Sequence, residues 1–182
     1  MVLLCTLYAT PSIAADRVRL ETSQGTIVIQ LFAQQAPATV ANFLKHVEAH
    51  FYDGLIFHRV VANFVIQAGG FDAEMKSREP LGTAVNEAKN GLRNERGTVA
   101  MARTSNPDSA DSQFYINMRT NTNLDRTADN PGYTVFGRVI EGMDVAEMIE
   151  LSETGIRSGM AAVPITPVII RSASIDSAGE GS

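Results

Sequence analysis

Between Phe57 and Gln67 the chain reads Phe-His-Arg-Val-Val-Ala-Asn-Phe-Val-Ile-Gln. That one short segment holds a guanidinium, aromatic rings and a side-chain amide on apolar, β-branched backbone. An arginine stays charged at any working pH, so Arg59 can donate hydrogen bonds without a proton-transfer cycle. A lone strand arginine is ordinarily a rim residue with a surface ion pair, and the second half of the chain shifts that reading. In Ser112-Gln113-Phe114-Tyr115-Ile116-Asn117, strand alternation puts Gln113, Tyr115 and Asn117 on one face and Phe114 and Ile116 on the other. Phe114 and Ile116 read as core. Gln113 and Tyr115 read as a polar–aromatic surface pair with the same chemistry as Phe64 and Gln67.

Other residues that could do chemistry fit bland readings better. His46 and His50 stand at the i, i+4 spacing of a zinc pair, but Glu48 is misplaced for a zinc protease and no third ligand is evident. A solvated helix end explains them, and cationic character there suits the helix dipole. His58 alternates with Arg59 and reads as a hydrogen-bonded structural histidine. Gly69-Gly70 lacks the Lys-Ser/Thr of a phosphate-binding loop, and no G-x-S-x-G occurs. Asp125, Asp129 and Asn130 do not have EF-hand spacing and read as a turn-rich loop. The expectation is therefore no metal and no cofactor.

The bulk properties bound the remaining classes. With 182 residues, 45% of them hydrophobic, the chain can bury one good core but is short for two domains. A net charge of -5 without Lys/Arg clusters argues against nucleic acid as a partner. Met1 to Ala15 carries no charge and runs Val2-Leu3-Leu4-Cys5-Thr6-Leu7-Tyr8 into Pro11-Ser12-Ile13-Ala14-Ala15. It reads as a secretory signal lacking its basic start, with a small-residue cleavage site, and its apolar run is too short to span a bilayer. Cleavage would remove Cys5, the one cysteine, leaving no disulfide and no thiol chemistry. The expected domains are a signal over 1–15, one folded domain over 16–176 and a small polar tail over 177–182, frayed at its end. The exported product is expected in the periplasm, monomeric and with no membrane insertion.

The elements that must position Arg59 follow from periodicity. Arg17–Glu21 and Thr26–Leu31 alternate around a Ser23-Gln24-Gly25 turn, a hairpin with Val18, Leu20, Ile27, Ile29 and Leu31 inward. Pro37 to His50 places Val40, Phe43, Leu44 and Val47 on one helical face, with Pro37 suited to the first turn. Asp53-Gly54 ends it. Short strands are expected at Phe57–Val60, Phe64–Ala68, Thr98–Ala102, Gln113–Asn117 and Val135–Val139, and a longer one from Pro164 to Ile175. A second helix spans Met143–Leu151 with Val145, Met148 and Ile149 buried. Residues Asp72–Arg96 and Thr120–Gly132 read as loops. Many short antiparallel strands with two helices predict a mainly β fold, a closed barrel capped at its ends. Bulky inward residues suggest a filled interior, unlike a ligand-carrying barrel.

These segments resemble the cyclophilin family of peptidyl-prolyl isomerases. The motifs are Phe57-His58-Arg59, Phe64-Val65-Ile66-Gln67 with Gly69-Gly70-Phe71, Gly97-Thr98-Val99-Ala100-Met101-Ala102-Arg103, Ser112-Gln113-Phe114-Tyr115-Ile116-Asn117, Leu124-Asp125 and Val135-Phe136-Gly137. They occur in family order from about Arg17 to Ile175. Arg103 after Ala102, and Tyr133 before Val135-Phe136-Gly137, look like the bacterial branch, periplasmic members included. The resemblance implies an eight-stranded antiparallel β-barrel capped by two α-helices, and a cofactor-free isomerase acting on Xaa-Pro bonds of exported, unfolded polypeptides.

It also implies roles, residue by residue. Arg59, Phe64 and Gln67 would be catalytic, with Arg59 donating to the imide nitrogen of a twisting bond and Gln67 orienting Arg59. Phe64, Val65, Tyr115 and Leu124 would form the proline slot. Ala102, Arg103 and Gln113 would grip the flanking peptide, partly through backbone hydrogen bonds, and Tyr133 would complete the substrate-binding set. Four positions depart from the familiar pattern: Val65 for Met, Tyr115 for Phe, Asn123 for an aromatic (often Trp) and Tyr133 for His. Tyr115 adds a hydroxyl that needs a partner if buried. Asn123 removes an indole donor that the resemblance associates with cyclosporin. The rival reading is the same barrel kept as a proline-peptide grip with little turnover, and Arg59 is the residue that separates the two.

Overall fold

The computed structural model describes residues 17–176; the expected signal and the tail lie outside the described residues. Ten strands and two helices run in chain order: β1 Arg17–Thr22, β2 Gly25–Leu31, α1 Pro37–Glu48, β3 Leu55–Val61, β4 Val65–Asp72, β5 Thr98–Met101, β6 Phe114–Asn117, β7 Val135–Glu141, α2 Met143–Glu150, β8 Thr154–Arg157, β9 Met160–Pro164 and β10 Ile170–Ile175. Eight of them form one antiparallel sheet in the order β10-β1-β2-β7-β5-β6-β4-β3. Its two outer strands meet through Gly54 N–H to Ile170 C=O at 2.8 Å, Phe57 N–H to Val168 C=O at 2.9 Å, and a bridge from Ile56 to Ile169. Those contacts bring the sheet nearly to a closed barrel, as expected.

The expected inward residues of the first hairpin are buried, and so are Phe114 and Ile116 of β6. Phe43 of α1 reaches into the interior, its ring centroid 5.5 Å from Phe114 and 5.0 Å from Phe136. Tyr52 stacks edge-on against Phe114 at 5.5 Å. Such offset and edge contacts suit aromatic quadrupoles, and they fill the barrel so that it holds packed side chains rather than a lumen. In α2, Val145, Ala146 and Ile149 face inward, whereas Met148 is 46% exposed, correcting the expectation for Met148.

Three other expectations change. The strand expected over Pro164–Ile175 is broken: β9 ends at Pro164 and β10 starts only at Ile170. Pro164 and Pro167 lack the N–H that a ladder needs, which is the physical reason for the break. Strands β8 and β9 make a separate hairpin, turned at Ser158 (φ 48°) and Gly159 (φ 78°). Both turn residues are left-handed, as two-residue hairpins favour. β8 escaped detection because its Ile156 is 78% exposed, so no inward alternation marks it. The two expected loops each contain a 3-10 turn, at Ala88–Asn90 and Thr122–Leu124.

His46 is buried, not solvated. Its Nδ1 donates to the Asn42 carbonyl at 2.7 Å and its Nε2 accepts from the Leu81 N–H at 3.0 Å. Burial lowers its pKa, so the ring ties α1 to the loop between β4 and β5 as a neutral tautomer. His50 points elsewhere, 3.4 Å from Asp53.

Candidate functional site

The position of Arg59 is decided by an irregularity in β3. Phe57 pairs with Ala68 while Arg59 pairs with Gln67, so His58 is an extra residue in the ladder. Strict alternation would put Phe57 and Arg59 on one face; the bulge re-aims the strand between them. Phe57 therefore enters the core and Arg59 turns to the outer surface. His58 is buried against Phe71, ring centroids 4.9 Å apart. Its Nδ1 has no partner, and burial lowers its pKa to about 4. His58 is thus a buried structural histidine, as expected, with the Ile56 backbone and the Gln113 side chain as its polar neighbours.

The outer faces of neighbouring strands supply the floor. Val65 of β4, Ala100 of β5, Tyr115 of β6 and Val135 of β7 form a small apolar cluster outside the barrel, flanked by Phe64, Ala102, Leu124 and Tyr133. Over it lies a cavity of about 260 Å³ lined by Arg59, Phe64, Val65, Gln67, Ala102, Arg103, Tyr115, Leu124 and Tyr133. The sequence-predicted residues thus converge on one cavity, save Gln113. Gln113 lines an adjoining cavity of about 120 Å³ with Thr104, Ser109 and Asp111, and Gln67, Ala102 and Arg103 face both.

A chain of amides sets Arg59. Its Nη1 donates to Gln67 Oε1 at 3.4 Å, and Gln67 Nε2 donates to Gln113 Oε1 at 3.1 Å. The guanidinium carbon lies 5.8 Å from the Phe64 ring centroid, within cation–π range. Gly69 and Gly70 exist for close approach. A Cβ on Gly69, whose φ is +93°, would come 2.6 Å from the Ser112 carbonyl oxygen, and one on Gly70 would come 2.7 Å from Gln113 Cδ.

Tyr115 is only 4% exposed, so it is a floor residue rather than half of a surface pair. Its hydroxyl donates to Asn94 Oδ1 at 2.8 Å. Asn94 in turn bonds Asp125 Oδ1 through its backbone N–H at 2.7 Å and its Nδ2 at 3.0 Å. Asn117 Nδ2 donates to Asn94 Oδ1 at 3.2 Å and to Thr98 Oγ1 at 3.0 Å, while Asn121 Nδ2 reaches Asn117 Oδ1 at 2.8 Å and the Phe64 carbonyl at 3.0 Å. Buried polar groups must be paired, and this network pairs them while holding Phe64 and the Thr122–Leu124 turn against the cavity. Sequence reasoning missed Asn94, Asn121 and the role of Asp125. Asn117 was legible on the Tyr115 face; Asn94 sits in a loop without periodicity and gave no signal.

Desolvation raises the Tyr115 pKa well above its usual value, so the hydroxyl stays a neutral donor. No group of three His, Cys, Asp or Glu suited to a metal occurs among the described residues. The arrangement offers an apolar slot, a fixed guanidinium at its edge and no nucleophile or titrating base. It can grip a small apolar ring and donate a charged hydrogen bond to a polar atom beside it.

Comparisons with known proteins agree on one family. Residues 17–175 match the model described as cyclophilin type peptidyl-prolyl cis-trans isomerase/CLD. The chain is 50% identical over 161 residues to a peptidyl-prolyl cis-trans isomerase of Streptomyces antibioticus, covering 87% of this chain and 97% of that one. It is 46% identical over 162 residues to peptidyl-prolyl cis-trans isomerase B of Escherichia coli, covering 87% and 98%. Among solved structures, a cyclophilin type isomerase of Cryptosporidium parvum, crystallised in the presence of the dipeptide Ala-Pro, aligns with a TM-score of 0.71 at 27% identity over 88% of this chain and 99% of that one.

Proposed function

We propose a role in folding exported polypeptides from one premise: the chain belongs to the cyclophilin-type peptidyl-prolyl cis-trans isomerase family and is such an isomerase. Its substrates are proline-containing polypeptides. Rotation about Xaa-Pro is slow because amide resonance raises the barrier to roughly 18–20 kcal/mol. Nothing has to be cleaved or ionised; the conjugation has to be broken. In our reading the proline ring enters the slot of Phe64, Val65, Tyr115 and Leu124, and Arg59 donates to the imide nitrogen as it pyramidalises. The donor accelerates rotation only insofar as it binds the twisted amide better than either planar form.

The observation that carries this reading is the Arg59 guanidinium, fixed by Gln67 at the edge of an apolar cavity. A five-order acceleration needs about 7 kcal/mol. One charge-assisted hydrogen bond contributes about 1.5–3 kcal/mol net, so desolvation and orientation in the slot supply the rest. Arg59→Ala should lose at least tenfold, and on the order of a hundredfold, in kcat/KM. Arg59→Lys should be nearly as poor, since a point charge replaces a planar fork. Near-wild-type turnover by folded Arg59→Ala protein would falsify the role given to Arg59.

Export rests on the uncharged apolar stretch from Met1 to Ala15. We place the mature protein in the periplasm as a monomer, beginning near Ala15 or Asp16. N-terminal sequencing of the cell-fractionated protein tests this, and a retained Met1 on a cytoplasmic protein would sink it.

A further inference from the structure

The cavity assigned to proline presents two guanidiniums, Arg59 and Arg103, and no carboxylate, although the chain carries a net charge of -5. Arg103 is held unusually firmly for a half-buried arginine. Its Nε donates to the Gly132 carbonyl at 3.1 Å and its Nη1 to the Thr104 carbonyl at 2.8 Å. The guanidinium carbon sits 4.4 Å from the Tyr133 ring centroid. Two bonds and a stack fix the plane of the group and leave Nη2 unused among the described contacts. The ion pairs among the described residues involve Arg19, His50, Arg96 and Arg138, and none reaches Arg103. An unpaired charge on an immobilised fork can engage a ligand with little further loss of side-chain entropy.

Arg103 lines both the proline cavity and the adjoining one, so it stands at the boundary between them. A polypeptide with its proline in the first cavity must carry a neighbouring residue past it. We infer that Arg103 is a specificity-determining residue that favours substrates bearing a carboxylate side chain next to the proline; this rests on the proline-slot reading above. The adjoining cavity is lined by Asp111, whose Oδ1 accepts the Ser112 and Gln113 N–H groups. That carboxylate disfavours a second acid further along, which confines the preference to the residue beside the proline. Complementary charge of this kind sets partner choice more than raw affinity.

The test uses two peptide series carrying Glu, Gln or Lys, placed before the proline in one and after it in the other, with kcat/KM from a protease-free isomerisation assay. A half-exposed ion pair is modest, and Glu against Lys counts attraction on one side and repulsion on the other. The expected Glu/Lys ratio is about three- to tenfold in at least one series at low salt, shrinking toward unity near 1 M salt. Arg103→Lys should keep the preference, Arg103→Gln should flatten it and Arg103→Glu should invert it. Ratios within one variant cancel any loss of overall rate. A ratio within twofold of unity in both wild-type series at low salt overturns the inference, as does a preference unchanged in Arg103→Gln. Should Arg103→Glu fail to fold by circular dichroism, the wild-type salt series and Arg103→Gln still decide. Failure to turn over any peptide strikes the proline-slot reading itself, which separates the two failures.

Discussion

Removing the Asn94 side chain should cost far less in a protein that already lacks the Tyr115 hydroxyl. In the wild type, Asn94 Oδ1 accepts from Tyr115 at 2.8 Å and from Asn117 at 3.2 Å. Tyr115→Phe takes away the donor alone, and Asn94 keeps Asn117, so the loss should be about 0.5–1.5 kcal/mol, one ordinary net hydrogen bond. Asn94→Ala is different. Asn117 Nδ2 still has Thr98 Oγ1 at 3.0 Å, and Asp125 Oδ1 still has the backbone N–H of residue 94 at 2.7 Å. The Tyr115 hydroxyl, on a side chain only 4% exposed, is left with nothing. An orphaned buried polar group costs about 1–3 kcal/mol, and the truncated amide adds a small cavity, giving about 2–4 kcal/mol together. In the Tyr115→Phe background no hydroxyl remains to be orphaned. The two changes should then fall short of additivity by about 1–2 kcal/mol, well beyond the 0.3–0.5 kcal/mol scatter of independent sites. Urea unfolding of the four proteins measures the cycle. For a domain of this size each kcal/mol also moves Tm by roughly 2–4 °C. Additive losses would refute the view that Tyr115 and Asn94 share one buried network.

Three further outcomes are expected. His58 titrates near pH 4 when folded but near 6.5 when unfolded, so below pH 6.5 the unfolded chain binds a proton that the native one refuses. Its contribution, complete above about pH 6.5, is therefore lost at up to about 1.4 kcal/mol per pH unit as pH falls toward 4; His46 acts in the same direction. Denaturation of His58→Gln at pH 7 and pH 5 should show a flatter dependence than wild type, and equal slopes would remove His58 as the cause. Gly70→Ala should drive its Cβ into the end of the Gln113 side chain and loosen the Gln67–Arg59 orientation, lowering kcat/KM several-fold with a stability change under about 1 kcal/mol; unchanged kinetics would show that the amide chain does not set Arg59. Asn123 is exposed beside Leu124, so cyclosporin should inhibit the wild type weakly and Asn123→Trp more tightly, by roughly five- to 150-fold from an added N–H donor and ring burial of about 1–3 kcal/mol. Inhibition titrations showing no shift would mean that residue 123 stands away from the drug.

How much was legible varied with the range of the physics involved. Alternation in Arg17–Leu31 and helical spacing in Pro37–His50 fixed the first hairpin and α1, because a residue that must be buried recurs at the period of its own element. The motif order from Phe57 to Gly137 identified the family and named the residues around the cavity, since their types reflect what the site must present. Three features lay beyond it. Period two places Phe57 and Arg59 on the same side, and only the pairing of β3 with β4 reveals the bulge at His58 that separates them. A bulge is a mismatch between two strands, so neither strand's sequence contains it. Tyr115 looked solvent-facing because the outside of a barrel usually is, yet the Phe64 wall, the Thr122–Leu124 turn and Asn94 fold over that face and bury it. The fit of Gly70 against Gln113 depends on the approach of chain segments far apart in sequence. Sequence by itself determined the first hairpin and α1 through their local periods and, through the family's motifs, most of the side chains that line the cavity. Which way they point and what holds them there was decided by contacts between distant segments, and those exist only once the chain is folded.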